Sequence, residues 1–225
     1  MPIDPAATIT ITAFSWVPDF AQGYVRDLRP RWACEEMGLP YRERLISAIE
    51  RPDWYYAEQP WGQVPHVRDG EIDLFESGAS LIHLGEKGGL LAAAGQERAT
   101  ALSWTLAALN SIEPYVFELG NVDLFARKQE WAKLRRPSLI EALGTRLDRL
   151  LTALGERSWL AGPFSIADVA MVTVLRELAR SELLDCRPAL SAYLARGLAR
   201  PAFQTALAAQ LAPFAHNAPA ARQEA

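Results

Sequence analysis

Two rhythms of apolar and polar positions run along this chain, and one gives way to the other near residue 90. Residues 8–16, TITITAFSW, are β-branched and aromatic and predict a strand. Residues 17–26 read as a loop, and DLRPRWACEEMG as a helix. Pro30 has no N–H to donate, so it fits only a first turn, where N–H groups lack partners anyway. Asp27 as N-cap puts Pro30 at the third helical position, and Gly38 ends the helix. Residues 41–47 predict a second strand and 51–59 a short helix or turn. Residues 64–68 and 71–75 predict two more strands joined at Asp69-Gly70, a strong hairpin signal. Residues 77–87 read as a helix capped by Ser77. The order β-α-β-α-β-β-α predicts a parallel pair followed by an antiparallel hairpin, with helices covering the sheet.

Beyond Gly88-Gly89 the strand signals stop. Leu102, Leu106, Leu109, Ile112 and Val116 recur at helical spacing, as do Leu139, Leu143, Leu147, Leu150, Leu151 and Leu154. Two or three shorter helices are expected after them. The fold class is therefore α/β plus all-α: an α/β domain over 1–88, a linker over 89–95 and an all-helical domain over 96–225.

Composition narrows the function classes. Half the residues are apolar and the formal net charge is -4, with no basic block, so nucleic acid is not an expected partner. No apolar run reaches the length of a membrane span. The start, MPIDPAAT, lacks the basic residues and apolar stretch of a signal peptide, so a cytoplasmic location is expected. Cys34 and Cys186 are the only cysteines, too few for a disulfide framework, a cysteine-based zinc site or a CxxC redox pair. His66, His83 and His216 have no acidic or Cys partner at ligand spacing, so no metal is expected. Cys34 reads as a half-buried packing residue inside its helix.

Two stretches stand out. In GQVPHVRDGEIDLFES, a proline opens a strand, where it cannot donate to the ladder. A cis Val64-Pro65 bond would turn the backbone sharply and leave the N–H and C=O of Val64 free to pair with an extended peptide. Glu76 and Ser77 stand where a strand ends and a helix begins. Free N–H groups at such a terminus bind a carboxylate, and Glu76 beside it can pair with an amine. The second stretch, AGPFSIADVAM, holds a capping box of Ser165 and Asp168, with Phe164 and Val169 as a hydrophobic staple; this is a structural motif.

RPRWACEEMGLPY, QPWGQVPHV, LFESGAS, Asn110-Ser111-Ile112-Glu113-Pro114 and LAGPFSIADV together resemble the glutathione S-transferase family over nearly the whole chain. The resemblance implies a thioredoxin-like first domain that binds glutathione, with Val64 and Pro65 on its cysteinyl part and Glu76 and Ser77 on its γ-glutamyl part. It also implies a homodimer, an apolar second-substrate site between domains, and an activity of the detoxification type. The family places a Tyr, Ser or Cys after the first strand to donate a hydrogen bond to the glutathione sulfur. Here that loop is longer than usual. Counting back from the helix selects Tyr24; counting forward from the strand selects Ser15; Arg26 is a third candidate. Tyr24 is favoured because it is nearer the helix N-terminus. Trp16, Phe20 and Tyr115 are candidates for the apolar pocket. The expected reaction is attack of the glutathione thiolate on an apolar electrophile. The alternatives are glutathione-dependent peroxide reduction or isomerisation, or a binding or regulatory protein without turnover.

Overall fold

A computed structural model describes residues 3–179 and 181–218. By their contacts these fall into two units. The first runs to Leu90 and resumes from Arg200; the second is Leu91–Ala199.

The first unit is built on a four-stranded sheet: β1 (Ile9–Phe14), β2 (Tyr41–Ile46), β3 (His66–Asp69) and β4 (Ile72–Phe75), in the order β2-β1-β3-β4. β1 and β2 are parallel, with Ile9 opposite Tyr41. β3 runs antiparallel to both β1 and β4. The alternation in TITITAF is explained by burial on both faces. Ile9 and Ile11 pack with Cys34, Tyr41, Val67 and Leu84. Thr10 and Thr12, on the other face, accept hydrogen bonds from Nε of Arg42 at 2.8 Å and of Arg44 at 2.9 Å. α1 (Leu28–Met37) and α2 (Ser77–Gly88) supply the helical layer. Pro30 is the third residue of α1, and Gly38 closes the helix at φ 63°. Cys34 is fully buried rather than half-buried, and burial pushes its thiol up to about 12.

The second unit holds α3 (Gly95–Ala107), α4 (Glu113–Gly120), α5 (Glu130–Leu154), α6 (Ile166–Arg176), α7 (Glu182–Asp185) and α8 (Pro188–Leu198). α6 is its centre, buried on nearly every side, as its all-round apolar sequence requires. On α5 the buried row Leu139, Leu143, Leu147, Leu150 and Leu154 follows the leucine spacing. The helix itself starts at Glu130, carrying Pro137 in its interior. Along α3 and into the turn that follows it the buried row is Ala101, Thr105 and Ala108, one residue away from the expected leucines; Leu106 is half exposed. Small residues let α3 and α6 approach closely. A π-type turn at Ala108–Ile112 then brings Ile112 and Val116 inward.

α9 (Pro201–Asn217) was expected with the helical domain over 96–225, yet it groups with the first unit. Three contacts fix it along α1: Phe203 meets Trp32 edge-on at 5.0 Å, Arg200 Nη2 donates to Glu36 at 2.7 Å, and Gln210 reaches Asp27 at 2.7 Å.

Candidate functional site

The turn ahead of β3 is held from below. The Tyr55 hydroxyl donates to the Gln63 carbonyl at 2.7 Å, and burial raises the pKa of this phenol. The buried Gln59 side chain accepts from the N–H of Trp61 at 2.7 Å and of Gln63 at 3.2 Å. Gly62 sits at φ 62°, and a Cβ there would come within 2.6 Å of the Tyr56 ring. The chain thus arrives rigidly at Val64, whose bond to Pro65 is cis. The ladder between β1 and β3 starts only at Thr12 and His66. Among the described residues, neither the N–H nor the C=O of Val64 has a hydrogen-bond partner. This leaves an unpaired backbone edge beside a buried side chain.

Glu76, at the end of β4, has φ 71°, and it is the one residue other than glycine described with a positive φ. Such a backbone costs of order 1–3 kcal/mol and persists only where its surroundings impose it. Glu76, rather than the expected Ser77, occupies the N-cap position of α2. Its side chain makes no capping hydrogen bond and is exposed. Ser77 is therefore the first residue of the helix. The N–H groups of Ser77, Gly78 and Ala79 have no partner among the described residues, whereas that of Ser80 bonds to the Glu76 carbonyl. Behind them lies Arg29 of α1, 2% exposed, whose Nη1 donates to Ser77 Oγ at 2.9 Å. Three free N–H groups, the end of a helix dipole and a buried guanidinium make this corner attract a carboxylate. Arg29 was missed in the sequence because RPR reads as an ordinary first helical turn.

The loop between β1 and α1 carries most of the remaining candidates. Its two ends converge: Phe14 and Val25 both pack on the cluster of Ile46, Tyr55 and Val64. Ser15 follows Phe14 directly, its N–H on the Ile46 carbonyl at 2.8 Å, and its side chain is half-buried. Tyr24 precedes Val25 directly and is 42% exposed. Ser15 and Tyr24 thus flank neighbours in one cluster, so the eight residues of loop between them do not measure their separation in space. The intervening chain folds into a short 3₁₀ turn at Asp19–Ala21, tied by Gln22 Nε2 to the Val17 carbonyl and to Asp19, each at 3.1 Å. Trp16 is half-buried in this loop and Phe20 is exposed.

Below the loop, Asp27 does not cap α1 with its side chain. Its carboxylate instead accepts from Arg31 Nε at 2.7 Å and from Gln210 Nε2 at 2.7 Å. Arg31 also pairs with Glu43 on β2. Burial pushes the Asp27 carboxyl up, against the pull of Arg31. Across the sheet, His66 lies between Glu58 and Asp73; burial lowers its pKa and favours the neutral ring.

In the second unit, Tyr115 packs against Val122, Ala126, Ala132 and Leu139. Arg146 stacks over its ring at 3.9 Å and donates to its hydroxyl at 2.8 Å. The capping box is formed: Ser165 Oγ accepts from the Ala167 N–H, and the Asp168 carboxylate accepts from the Ser165 N–H at 3.0 Å. A cavity of about 700 Å³ in this unit is lined by Asp123, Arg136, Asp148, Cys186 and Arg187 among others, and by none of the candidate residues. Its two arginines are neutralised on its own rim, Arg136 by Asp123 and Arg187 by Asp148. Among the described residues, no three His, Cys, Asp or Glu side chains are placed to hold a metal ion, and no helix is long and apolar enough to cross a membrane.

Comparisons with known proteins converge on one family. Residues 20–86 match the model of the glutathione S-transferase N-terminal domain. The chain is 29% identical over 186 residues to glutathione S-transferase tcpG of Claviceps purpurea, covering 70% of each chain. Among solved structures it is similar to a glutathione transferase family member from Pseudomonas fluorescens with two glutathione bound. That match has a TM-score of 0.78 and 25% identity, and covers 88% of this chain and 92% of that one. A glutathione transferase from Burkholderia graminis, with two glutathione molecules bound per subunit, matches with a TM-score of 0.79 and 26% identity, over 89% and 87%.

Proposed function

From the premise that this chain belongs to the glutathione S-transferase family, we propose that it binds glutathione across the first unit and activates its thiol for attack on an apolar electrophile. One observation carries the reading: an unpaired backbone edge at Val64 and an open helix terminus at Ser77 occur in the same unit. Glutathione is an extended peptide with a free α-carboxylate and amine at one end, and each group has a counterpart. The Val64 N–H and C=O pair with the cysteinyl part, and Pro65 sets their direction. The N–H groups at the start of α2, backed by Arg29 through Ser77, take the γ-glutamyl carboxylate. The exposed, uncapped Glu76 takes the amine.

The sulfur then points toward the cluster that Phe14, Val25 and Val64 share. A free thiol titrates near 8.5, and a hydroxyl donor together with a helix N-terminus lowers that value. Tyr24 is the favoured donor, with Ser15 the alternative and Arg26 the third. Once the thiolate forms, it attacks an electrophilic carbon, a C–S bond is made, and the leaving group departs with the electron pair. Trp16, Phe20 and Tyr115 are proposed to line the apolar pocket. A homodimer in the cytoplasm fits the family. No metal takes part in this scheme.

The test is the pH dependence of thiolate absorbance with glutathione bound, in Tyr24→Phe and Ser15→Ala. Tyr24→Phe is expected to move the titration upward and to lower turnover at neutral pH, with Ser15→Ala doing less. The reverse order assigns the role to Ser15. No shift in either leaves Arg26 or backbone N–H groups as the activating donors. No binding of glutathione by wild-type protein refutes the proposal.

A further inference from the structure

The helix that returns to the first unit ends its polar contacts at the candidate thiol-activating segment. Gln210 of α9 is 1% exposed. Its Nε2 donates to two acceptors at once: the Val25 carbonyl at 2.9 Å and Asp27 Oδ1 at 2.7 Å. Because both partners accept, the amide is held with its nitrogen toward them; a flipped amide would set three oxygens face to face. The Gln210 oxygen is correspondingly buried without a partner among the described residues. Asp27 is itself anchored by Arg31, which is tied to Glu43. One glutamine thus joins α9, the last loop residues and the buried ion pair at the foot of α1.

We infer that Gln210 is a positioning residue for thiol activation, holding the backbone between Tyr24 and Asp27 at a fixed place from the C-terminal helix. The inference rests on the proposed reading of the site. Val25 separates Tyr24 from Arg26, so its carbonyl is the backbone anchor nearest to both donors on that side of the loop. Its side chain packs on the cluster that includes Val64. The same carbonyl also accepts from the Leu28 N–H at 3.1 Å, so the segment is held from the first turn of α1 on one side and from α9, through Gln210, on the other. A hydrogen bond to sulfur weakens steeply with distance and angle, so a small drift of the segment lowers the thiolate fraction.

Gln210→Met keeps the shape and removes the donor. The expected result is an upward move of the bound thiol's titration and a kcat at neutral pH lower by roughly ten- to a hundredfold, the scale of a misplaced catalytic group. KM for glutathione should change little, and the amides of residues 24–27 should exchange faster. Phe203→Leu is the control, since it weakens the packing of α9 on α1 at Trp32 and leaves both Gln210 bonds in place. If Gln210→Met only lowers the melting temperature, as the control should, with titration and exchange unmoved, the inference is overturned. If Gln210→Met does not fold, Gln210→Asn, one methylene too short to span both acceptors, is read the same way. A wild-type protein that shows no thiolate band refutes the reading of the site, and amide exchange at 24–27 still decides whether Gln210 holds the segment.

Discussion

Asp168→Asn tests whether the capping box of α6 is purely structural. The wild-type carboxylate is fully buried and receives four donors. Oδ1 accepts from the Leu160 N–H at 3.0 Å and the Tyr193 hydroxyl at 2.8 Å; Oδ2 accepts from the Ser165 N–H at 3.0 Å and the Ser165 hydroxyl at 3.2 Å. In asparagine one of these oxygens becomes an NH₂ group. On either side it then faces one hydroxyl, which can rotate to accept, and one backbone N–H, which cannot. One buried amide is left unpaired at about 1–3 kcal/mol, and the surviving bonds lose their charge assistance at about 1 kcal/mol each. Burial raises the wild-type carboxyl, so removing its charge offsets part of that cost. The expected loss is about 2–4 kcal/mol. It should appear as a lower urea midpoint with an unchanged slope, and as faster exchange of either the Leu160 or the Ser165 amide. Ser165→Ala should lose less, about 0.5–2 kcal/mol. A change below about 0.5 kcal/mol with both amides still protected would refute the assignment of these hydrogen bonds, and a fully folded variant without turnover would show a chemical role for Asp168.

Glu76→Ala should weaken glutathione binding by about 1.5–3 kcal/mol with folding nearly unchanged, and calorimetry that finds equal affinity removes Glu76 from the site. Arg31→Met should cost about 3–5 kcal/mol, since Asp27 stays buried beside Gln210 alone and Glu43 loses its partner; chemical denaturation measures it. On the sheet, the hydrogen bond from Arg44 holds Glu58 below the usual carboxylate range, and that from Arg68 does the same for Asp73. A carboxylate lowered on folding stabilises above its unfolded value, here 4.5 for Glu58, and that stability is lost as pH falls through the folded value. Melting temperatures should therefore drop on acidification below that point, and Arg44→Gln should flatten the drop, while an unaltered acid limb would show that the pair contributes nothing.

What was legible in the sequence was local. Asp69-Gly70 marks the hairpin, Pro30 and Gly38 bound α1, and Ser165 with Asp168 mark the start of α6, because each signal acts within a few residues. The parallel pair and the hairpin follow from the same signals, while the pairing of β3 against β1 does not. The misreadings involve partners distant in sequence or backbone shapes without a residue signature. Ser77 reads as a cap because serine usually is one, yet the strained Glu76 takes that position and Ser77 turns to Arg29. The leucine row on α3 predicts its buried face, but close approach to α6 favours Ala101, Thr105 and Ala108. Loop length does not tell where Ser15 and Tyr24 lie in space, and their neighbours Phe14 and Val25 both pack on one cluster. The attachment of α9 depends on Gln210 finding Asp27 across 183 positions, which no periodicity encodes.

The discontinuous first unit has a consequence for how the chain is made. A ribosome releases protein from the N-terminus at roughly 5–20 residues per second, and domains generally fold as they emerge. Here β1 to α2 leave the ribosome early, but the helix that covers Trp32 and anchors Asp27 comes last, after the whole of Leu91–Ala199. Until then the inner face of α1 must stay uncovered while the second unit matures. Nascent chains stalled before Pro201 should therefore hold a protease-sensitive first unit beside a resistant second one, and release of the last segment should protect both.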